Sequence, residues 1–511
     1  MDETRTPILV GAGQVTQREP DPAVARAAID LTADAARHAA DDAGVGAALL
    51  AALDTVVVIR AFGDTSWRFT SPFGRVANPP KSLARRLGAV AAGRLVYTHA
   101  GGNMPQWCVN RLSEMVTRGE VKAALIAGGE ALATQKAAQR AKIQLDWNED
   151  LGGDFQSWGI EKRGWSDGEE RHRMSGAIFA YPMIENAIRG ARGRSIAEHG
   201  QAMGALFARF AAVAAGNPLA DRRDGFTAGD IAAVGPDNPY IGFPYTKLMN
   251  ANAFIDQAAA VILTSVAEAR ALGIAEERWV YLHGCADAHD HWFLSDRKNF
   301  HSSPAMATVA RETFAMADMS VADMDFLDLY SCFPSAVEIA CAEMGIAEDD
   351  PRGLTVTGGL PYFGGPGNNY VTHAIAETMA QVRGRPGSRA LVTANGNYVT
   401  KQSAGIYSTT RPEKPFMPRD PAVYQAEIDA DRGPAVAEHA AGAARIETYT
   451  VMHDRQGPSY TILFGRLSDG RRFIANTPQD ASLLRDMTER DYLDAPGKVT
   501  HTDGVNLFQP D

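Results

Sequence analysis

Tyr370 and His373 place a phenol and an imidazole at the head of an amphipathic segment (Ile375, Met379, Val382). A glycine-rich run leads directly into them, Thr357-Gly-Gly-Leu-Pro-Tyr-Phe-Gly-Gly-Pro-Gly-Asn-Asn369, itself preceded by strand-like Leu354 and Val356. Glycines between a strand and a helix let backbone approach a ligand and aim N–H groups at it. The run lacks the Lys-Ser/Thr of a phosphate loop, and its glycines miss the dinucleotide spacing. A second phenol, Tyr330, closes the apolar run Asp325-Phe-Leu-Asp-Leu-Tyr330. Two phenols and an imidazole around one cleft would be an acid/base set. A phenol titrates near ~10, so Tyr330 or Tyr370 acting as base would need a cation or donor beside it. His373, on the same helical turn as Tyr370, or His99 across the cleft could serve.

The 511-residue chain carries a net charge of −11, with 22% charged and 45% hydrophobic residues. That is the balance of a globular protein, and its sign argues against a nucleic-acid partner. Four scattered cysteines (Cys108, Cys285, Cys332, Cys341) make neither a disulfide framework nor a zinc signature, and they suit a reducing cytoplasm. The start shows no apolar signal region, and no run reaches membrane-spanning length. His283-Gly-Cys-Ala-Asp-Ala-His-Asp-His291 has the donors for a divalent cation. No helix or turn fixes them, so a polar loop at a strand end is expected and no metal is assigned.

Alternating strands and helices, with strands apolar on both faces, predict an α/β protein built on a parallel sheet. Strands are expected at Ile8–Val10, Asp54–Ile59, Arg94–Tyr97 and Ala123–Ala127. Helices are expected from Asp21-Pro22 to Gly44, from Asn78 to Gly88, and after the turn His99-Ala-Gly-Gly-Asn103. Residues 135–245 break the rhythm with a Trp-containing polar stretch and a helix from Ile184 to Ala215, a partly helical excursion covering a site. The strand Asp256–Thr264 resumes the sheet. A second set then repeats the first: Trp279–His283, a helix capped by Ser303-Pro304, Asp325–Tyr330, the glycine run with its helix, and Arg389–Ala394. This reads as an internal duplication, with ligands beyond the carboxyl ends of the strands. The boundaries are 1–265 for the first half, 266–411 for the second, 412–444 for a linker and 445–511 for a small β domain.

Ala127-Gly-Gly-Glu130, Asp256-Gln-Ala-Ala-Ala-Val261, Asp328-Leu-Tyr-Ser-Cys-Phe333 and Gly358-Gly-Leu360 with Gly364-Gly-Pro366 together resemble the thiolase superfamily. The resemblance spans about residues 5–410 and is nearest the sterol-carrier-protein type, whose His-Asp-Cys-Phe stands here as Tyr330-Ser-Cys-Phe333. It implies a duplicated βαβαβαββ fold in five αβαβα layers with an inserted loop domain. The C-terminal segment is similar to the small OB-like β-barrel added to some thiolase-like proteins described as acetyl-CoA acetyltransferases. Membership would imply an acyl-CoA substrate in lipid metabolism, no cofactor beyond the coenzyme A carried by that substrate, and a possible homodimer that the extra domain could block.

The departures from the family pattern concern chemistry. The nucleophilic cysteine's place falls within Gly101-Gly-Asn103, the histidine of Gly-His-Pro is Gly365, and Cys-x-Gly is replaced by Asn395-Gly-Asn-Tyr398. Tyr370-Val-Thr-His373 is similar to the Tyr-x-His element of the superfamily's retro-aldol branch. That likeness implies cleavage of a β-hydroxyacyl-CoA with Tyr330, Tyr370 and His373 as catalytic residues. Gly102 and Gly365 N–H groups and the amides of Asn103 and Asn395 are the expected oxyanion donors, with His99 nearby. Thiolase-type acyl transfer through Cys108 or Cys332, and non-catalytic acyl-CoA or partner binding, are the alternatives.

Overall fold

Two half-sheets joined edge to edge carry the molecule, and two helices sandwiched between the halves bring their N-termini toward a common centre. The computed structural model describes residues 3–89 and 92–511. The first half runs β1 (Pro7–Thr16), α1 (Ala28–Asp42), α2 (Gly46–Ala52), β2 (Thr55–Val58), α3 (Pro79–Leu87), β3 (Arg94–Thr98), α4 (Met104–Arg118), β4 (Ala123–Ala131), α5 (Leu132–Ala141) and β5 (Gln156–Trp158). The inserted segment holds α6 (Asp167–Arg171), α7 (Ala177–Ala191), α8 (Ile196–Gly216), α9 (Ala228–Ala232), β6 (Tyr240–Gly242) and β7 (Tyr245–Thr246), and β8 (Asp256–Ser265) returns to the sheet. The second half comprises α10 (Val266–Ala271), β9 (Val280–His289), α11 (Pro304–Ala317), β10 (Phe326–Asp328), α12 (Pro334–Met344), α13 (Gly359–Tyr362), α14 (Tyr370–Gly384), β11 (Arg389–Gly396) and β12 (Lys401–Ser408).

The strand order is β10-β11-β12-β9-β1-β8-β4-β2-β3-β5. The duplication is visible in it, since β10, β11, β12 and β9 answer β2, β4, β8 and β1. Helix α1 packs on one outer face and α11 on the other, while α4 and α14 each touch strands of both halves. These are the five αβαβα layers. Strands such as β8 are buried almost end to end because helices cover both faces.

Several expectations need correction. Parallel pairing is confined to β2 with its neighbours, β3 with β5, and β10 with β11; β1, β8, β9 and β12 pair antiparallel. Asp21 caps only a turn, accepting from the Ala23 N–H at 2.9 Å, and the helix starts at Ala28. The helix expected over Ile184–Ala215 is two, separated at Gly193, whose φ of 62° leaves the helical region. Leu354 and Val356 form no strand; a single bond from the Leu329 N–H to the Leu354 carbonyl marks that edge. The stretch His283–His291 is mostly the second half of β9, so His289 pairs with Lys401 in a ladder with β12, while His283 sits at a bulge in it and bonds the Thr410 carbonyl at 2.7 Å. The segment 412–444 contains the helix α15 (Pro421–Ala430), which packs on β9 and buries Tyr424.

The C-terminal sheet follows as β13 (Gly442–Asp454), β14 (Gly457–Leu467) and β15 (Arg472–Ala475), then α16 (Ala481–Glu489), β16 (Pro496–Thr502) and β17 (Val505–Pro510). It orders β15-β14-β13-β16-β17 and curls until its ends meet, Asn476 bonding to Asn506 and Phe508. Strand β6 of the inserted segment joins it at Met452. Among the described residues no helix is long and apolar enough to cross a membrane.

Arg472, fully buried, fastens this sheet to the second half. Its guanidinium pairs with Glu447 at 2.7 and 2.8 Å and donates to the carbonyls of Ser295, Arg297 and Lys298. Truncation strands those carbonyls and part of the Glu447 charge away from water. Arg472→Met is therefore expected to lower unfolding stability by about 3 kcal/mol. Arg466→Ala, on the same carboxylate but a third exposed, is expected to cost under about 1 kcal/mol. Chemical denaturation of the two variants measures the contrast.

Candidate active site

The first turn of α4 is where an anionic or polarised ligand would meet unpaired N–H groups. The turn from β3 delivers Gly101, Gly102 and Asn103 there, and all three are buried. The Gly101 N–H donates to Asn368 Oδ1 at 2.9 Å. Asn368 Nδ2 donates to the Arg60 carbonyl at 2.7 Å, so the glycine-rich stretch before α14 closes against α4's start.

Tyr330 lies over Gly102. A Cβ added there would fall inside the shell of the Tyr330 hydroxyl oxygen, 2.7 Å from Cζ and 2.6 Å from the Asn395 carbonyl. At Gly101 a Cβ would meet Lys401 Nζ at 2.6 Å and Asn103 Oδ1 at 2.5 Å. Tyr330, Asn395 and Lys401 thus converge on the glycine pair. Lys401 is 4% exposed, and its Nζ donates to the Ala100 carbonyl. Among the described residues no carboxylate forms an ion pair with it. Burial pushes its amine down to about 8. His99, half-buried at the rim, is also lowered, first by burial and then by the Arg60 and Lys401 charges, with Glu161 opposing.

The Asn395 side chain is oriented from behind. Tyr181 accepts the Val399 N–H at 3.2 Å and donates its own hydroxyl to Asn395 Oδ1 at 3.1 Å. Asn395 Nδ2 is then left buried without a partner, as is Asn103 Oδ1. The backbone supplying that N–H is under strain: Asn397, Tyr398 and Val399 have φ of 53°, 59° and 67° in succession. A β-branched residue there is a genuine outlier, and strain of this kind gathers where geometry serves function.

The expected tyrosine–histidine set is only partly assembled. The Tyr330 and Tyr370 rings meet edge to face at 5.8 Å. The Tyr370 hydroxyl points away from Gly102, bonding Thr357 Oγ1 at 2.6 Å and Asp328 Oδ1 at 3.4 Å. Tyr370 therefore backs Tyr330 and does not face a cleft with it. Burial holds both phenols well above the ordinary range and lifts Asp328 to about 7, so neither phenol is a base near neutral pH. His373 faces β1, its Nδ1 donating to Gln14 Oε1 at 2.8 Å; burial pushes the ring down to about 3. It does not activate Tyr370. Gly365 bonds the Asn252 carbonyl at 2.9 Å, at the return of the inserted segment. Tyr330 follows β10 by two residues, and β10 is an edge strand rather than a central one.

Cys108, inside α4, and Cys332, after Tyr330, are both fully buried thiols raised by that burial, Cys332 to about 12. A neutral thiol is a poor nucleophile. A cavity of about 790 Å³ lies beyond the carboxyl ends of β2, β3 and β4, walled by Arg60, Trp67, Glu130 and Phe155 among others. The Asn368 bridge separates it from the Tyr330 cluster. The sequence analysis missed Lys401 as a site residue, although a signal was present: it is the single charged residue between Arg389 and Arg411. Nothing in the sequence singled out Tyr181.

Residues 424–504 match the family model described as the thiolase-like protein type 1 additional C-terminal domain. A monomeric SCP2-thiolase-like protein type 1 from Mycobacterium smegmatis is similar over 99% of this chain and 100% of its own, at 36% identity and a TM-score of 0.85. The Ltp2-ChsH2(DUF35) aldolase shares the fold at 17% identity, with a TM-score of 0.58 over 81% of this chain and all of that one. An acetyl-CoA acetyltransferase of Methanothermobacter thermautotrophicus is 28% identical over 158 residues, 28% of this chain. The match spans only 40% of that enzyme's length.

The lowered Lys401 amine fixes a direction for stability against pH. The folded state holds the proton less tightly than the unfolded chain, so stability rises as pH climbs from about 8 toward the ordinary 10.5. Below pH 8 the buried charge is a full cost. Lys401→Met is expected to be more stable than the native chain at pH 7 by up to about 3 kcal/mol. The advantage should shrink to nothing by pH ~10.5, as thermal unfolding across that range would show.

Proposed function

The chain belongs to the SCP2-thiolase-like protein type 1 family, and on that premise we propose that it binds an acyl-CoA thioester and cleaves a β-hydroxyacyl group by retro-aldol chemistry. The observation that carries this reading is the convergence of Tyr330, Lys401 and the Asn395 main chain on Gly101-Gly102, with the phenol where a nucleophilic thiol would need to stand and the Asn395 side-chain amide buried and unbonded.

Such a cleavage needs a base for the β-hydroxyl and donors for the enolate, but no covalent acyl-enzyme. Lys401, with an amine near 8 and no carboxylate partner, is the base. It takes the hydroxyl proton as the Cα–Cβ bond breaks; the β-carbon leaves as a carbonyl compound, and the electron pair moves into the thioester enolate. The Asn395 Nδ2 and the Tyr330 hydroxyl, locked in its protonated form by burial, donate to the enolate oxygen. The lysine ammonium then returns its proton to the α-carbon, giving the shortened acyl-CoA. Tyr370 and Asp328 hold Tyr330 in place, and His99 lies at the rim. The aldolase neighbour supports the reading at the level of fold, and the acetyltransferase relative keeps acyl transfer as the competitor. That competitor would have to use Cys108 or Cys332, both buried as neutral thiols.

A panel of β-hydroxyacyl-CoAs of different chain length, assayed for the carbonyl product, tests the proposal. Lys401→Met and Tyr330→Phe should each lower kcat by about 10²-fold or more, and Tyr370→Phe by less. kcat/KM should rise with pH toward a limb near 8. Thioester thiolysis or acyl transfer that survives Lys401→Met and disappears in Cys108→Ala or Cys332→Ala would overturn it.

A further inference from the structure

Away from that site, three ionisable side chains meet in a fully buried cluster where the inserted segment packs against the second half. Glu185 comes from α7, His199 from the first turn of α8, and Glu338 from α12; one donor atom of each lies within 4.8 Å of the others. His199 Nε2 is 2.5 Å from Glu185 Oε1, and Tyr245 donates to Glu185 Oε2 at 2.6 Å. Neither oxygen of Glu338 is in a hydrogen bond, although the carboxylate is wholly buried. Among the described residues Arg192 is the cation paired with it, at 3.4 Å, and that guanidinium is shared with Glu348 at 2.6 Å. The local helix geometry is built to aim these groups: a Ser195–Glu198 capping box starts α8 one residue before His199.

Charge is out of balance as well. Three carboxylates (Glu185, Glu338, Glu348) face one guanidinium, and Glu185 and Glu338 are wholly buried. Two carboxylates buried this close together cannot both stay charged without a counter-charge, so the site calls for bound protons or a cation. An imidazole nitrogen with two carboxylates is a zinc donor set; Zn–N and Zn–O bonds of ~2.0–2.2 Å set ligand atoms about 3.4 Å apart, so the 2.5 Å His199–Glu185 hydrogen bond opens to admit the ion. Tyr245, bonded to both Glu185 and Ser335 at 2.6 Å, supplies the outer hydrogen bonding that ligating carboxylates need.

We infer that Glu185, His199 and Glu338 form a structural Zn²⁺ site pinning α7 and α8 of the inserted segment to α12. Helix α12 starts at Pro334, four residues after Tyr330, so the ion sits behind the candidate active site and braces it without touching it. This inference stands independently of the retro-aldol proposal, because metal content and thermal stability report on it without any substrate.

The full chain, purified without chelator and analysed by inductively coupled plasma mass spectrometry, should carry about one zinc per molecule. Removing it with dipicolinate should lower Tm, and Zn²⁺ should restore it. Glu338→Gln and His199→Asn should each reduce bound zinc at least tenfold; Glu338→Gln, a near-isostere, guards against simple misfolding through its unchanged circular dichroism. The inference is overturned if the native chain binds no stoichiometric zinc as purified or after Zn²⁺ titration, with Tm indifferent to chelator. It is equally overturned if both variants keep the native zinc content, which would place the ion elsewhere.

Discussion

The contact between the Tyr330 hydroxyl and Gly102 is the constraint from which the chemistry of this molecule follows. No side chain fits at Gly102 while Tyr330 lies over it, and at Gly101 a side chain would strike Lys401 and Asn103. A cysteine at the head of α4 and a phenol on the loop after β10 are therefore mutually exclusive. The phenol occupies the space that a nucleophilic thiol at this helix terminus would need. The glycines serve close approach there, not conformational freedom in general.

That contact requires two halves to meet with little tolerance. Helices α4 and α14 each pack on strands of both half-sheets, so their first turns are fixed relative to one another by two cores at once. Asn368, in the turn before α14, bonds the Gly101 N–H and the Arg60 carbonyl. The edge of the first half-sheet is occupied by β5, which pairs with β3. An unpaired strand edge invites a second chain, and a segment of the same chain covers this one. The similar Mycobacterium smegmatis protein is described as monomeric.

Much of the fold was legible because it depends on local signals. Asn78-Pro79 and Ser303-Pro304 begin helices where capping chemistry says they should, and Gly88 ends one. The duplication could be read from spacing alone. What failed depended on tertiary context: Asp21-Pro22 carries a good start signal but the turn through Ala27 delays α1, and Leu354 and Val356 look like a strand yet share one backbone–backbone bond with the sheet edge, the Val356 N–H going to the Asp328 carboxylate instead. At the site, residue types were legible but directions were not. Tyr370 and His373 are on one helical turn, yet one hydroxyl bonds Asp328 and Thr357 while the ring three residues on bonds Gln14. Spacing fixes which face a side chain leaves from, not which partner it finds. Lys401 was readable as the lone charge between Arg389 and Arg411, and its meaning depended on the burial that the fold imposes.

Unsatisfied buried polar groups argue most directly for a ligand at this helix head. Asn103 Oδ1 and Asn395 Nδ2 are both buried and unbonded, and Lys401 is a buried cation that donates to the Ala100 carbonyl. Leaving one such group unpaired costs about 1–3 kcal/mol, and the left-handed run Asn397–Val399 adds strain of order 1–3 kcal/mol for each residue so held. A fold selected for stability alone would relax all of them: a leucine for Lys401, a glycine for Val399, an apolar side chain for Asn395. Instead the strained Val399 N–H holds Tyr181, Tyr181 turns the Asn395 amide, and the amide keeps its N–H₂ free. That succession of contacts leaves one buried donor unpaired, and a donor preorganised in that way costs nothing further when a developing negative charge arrives.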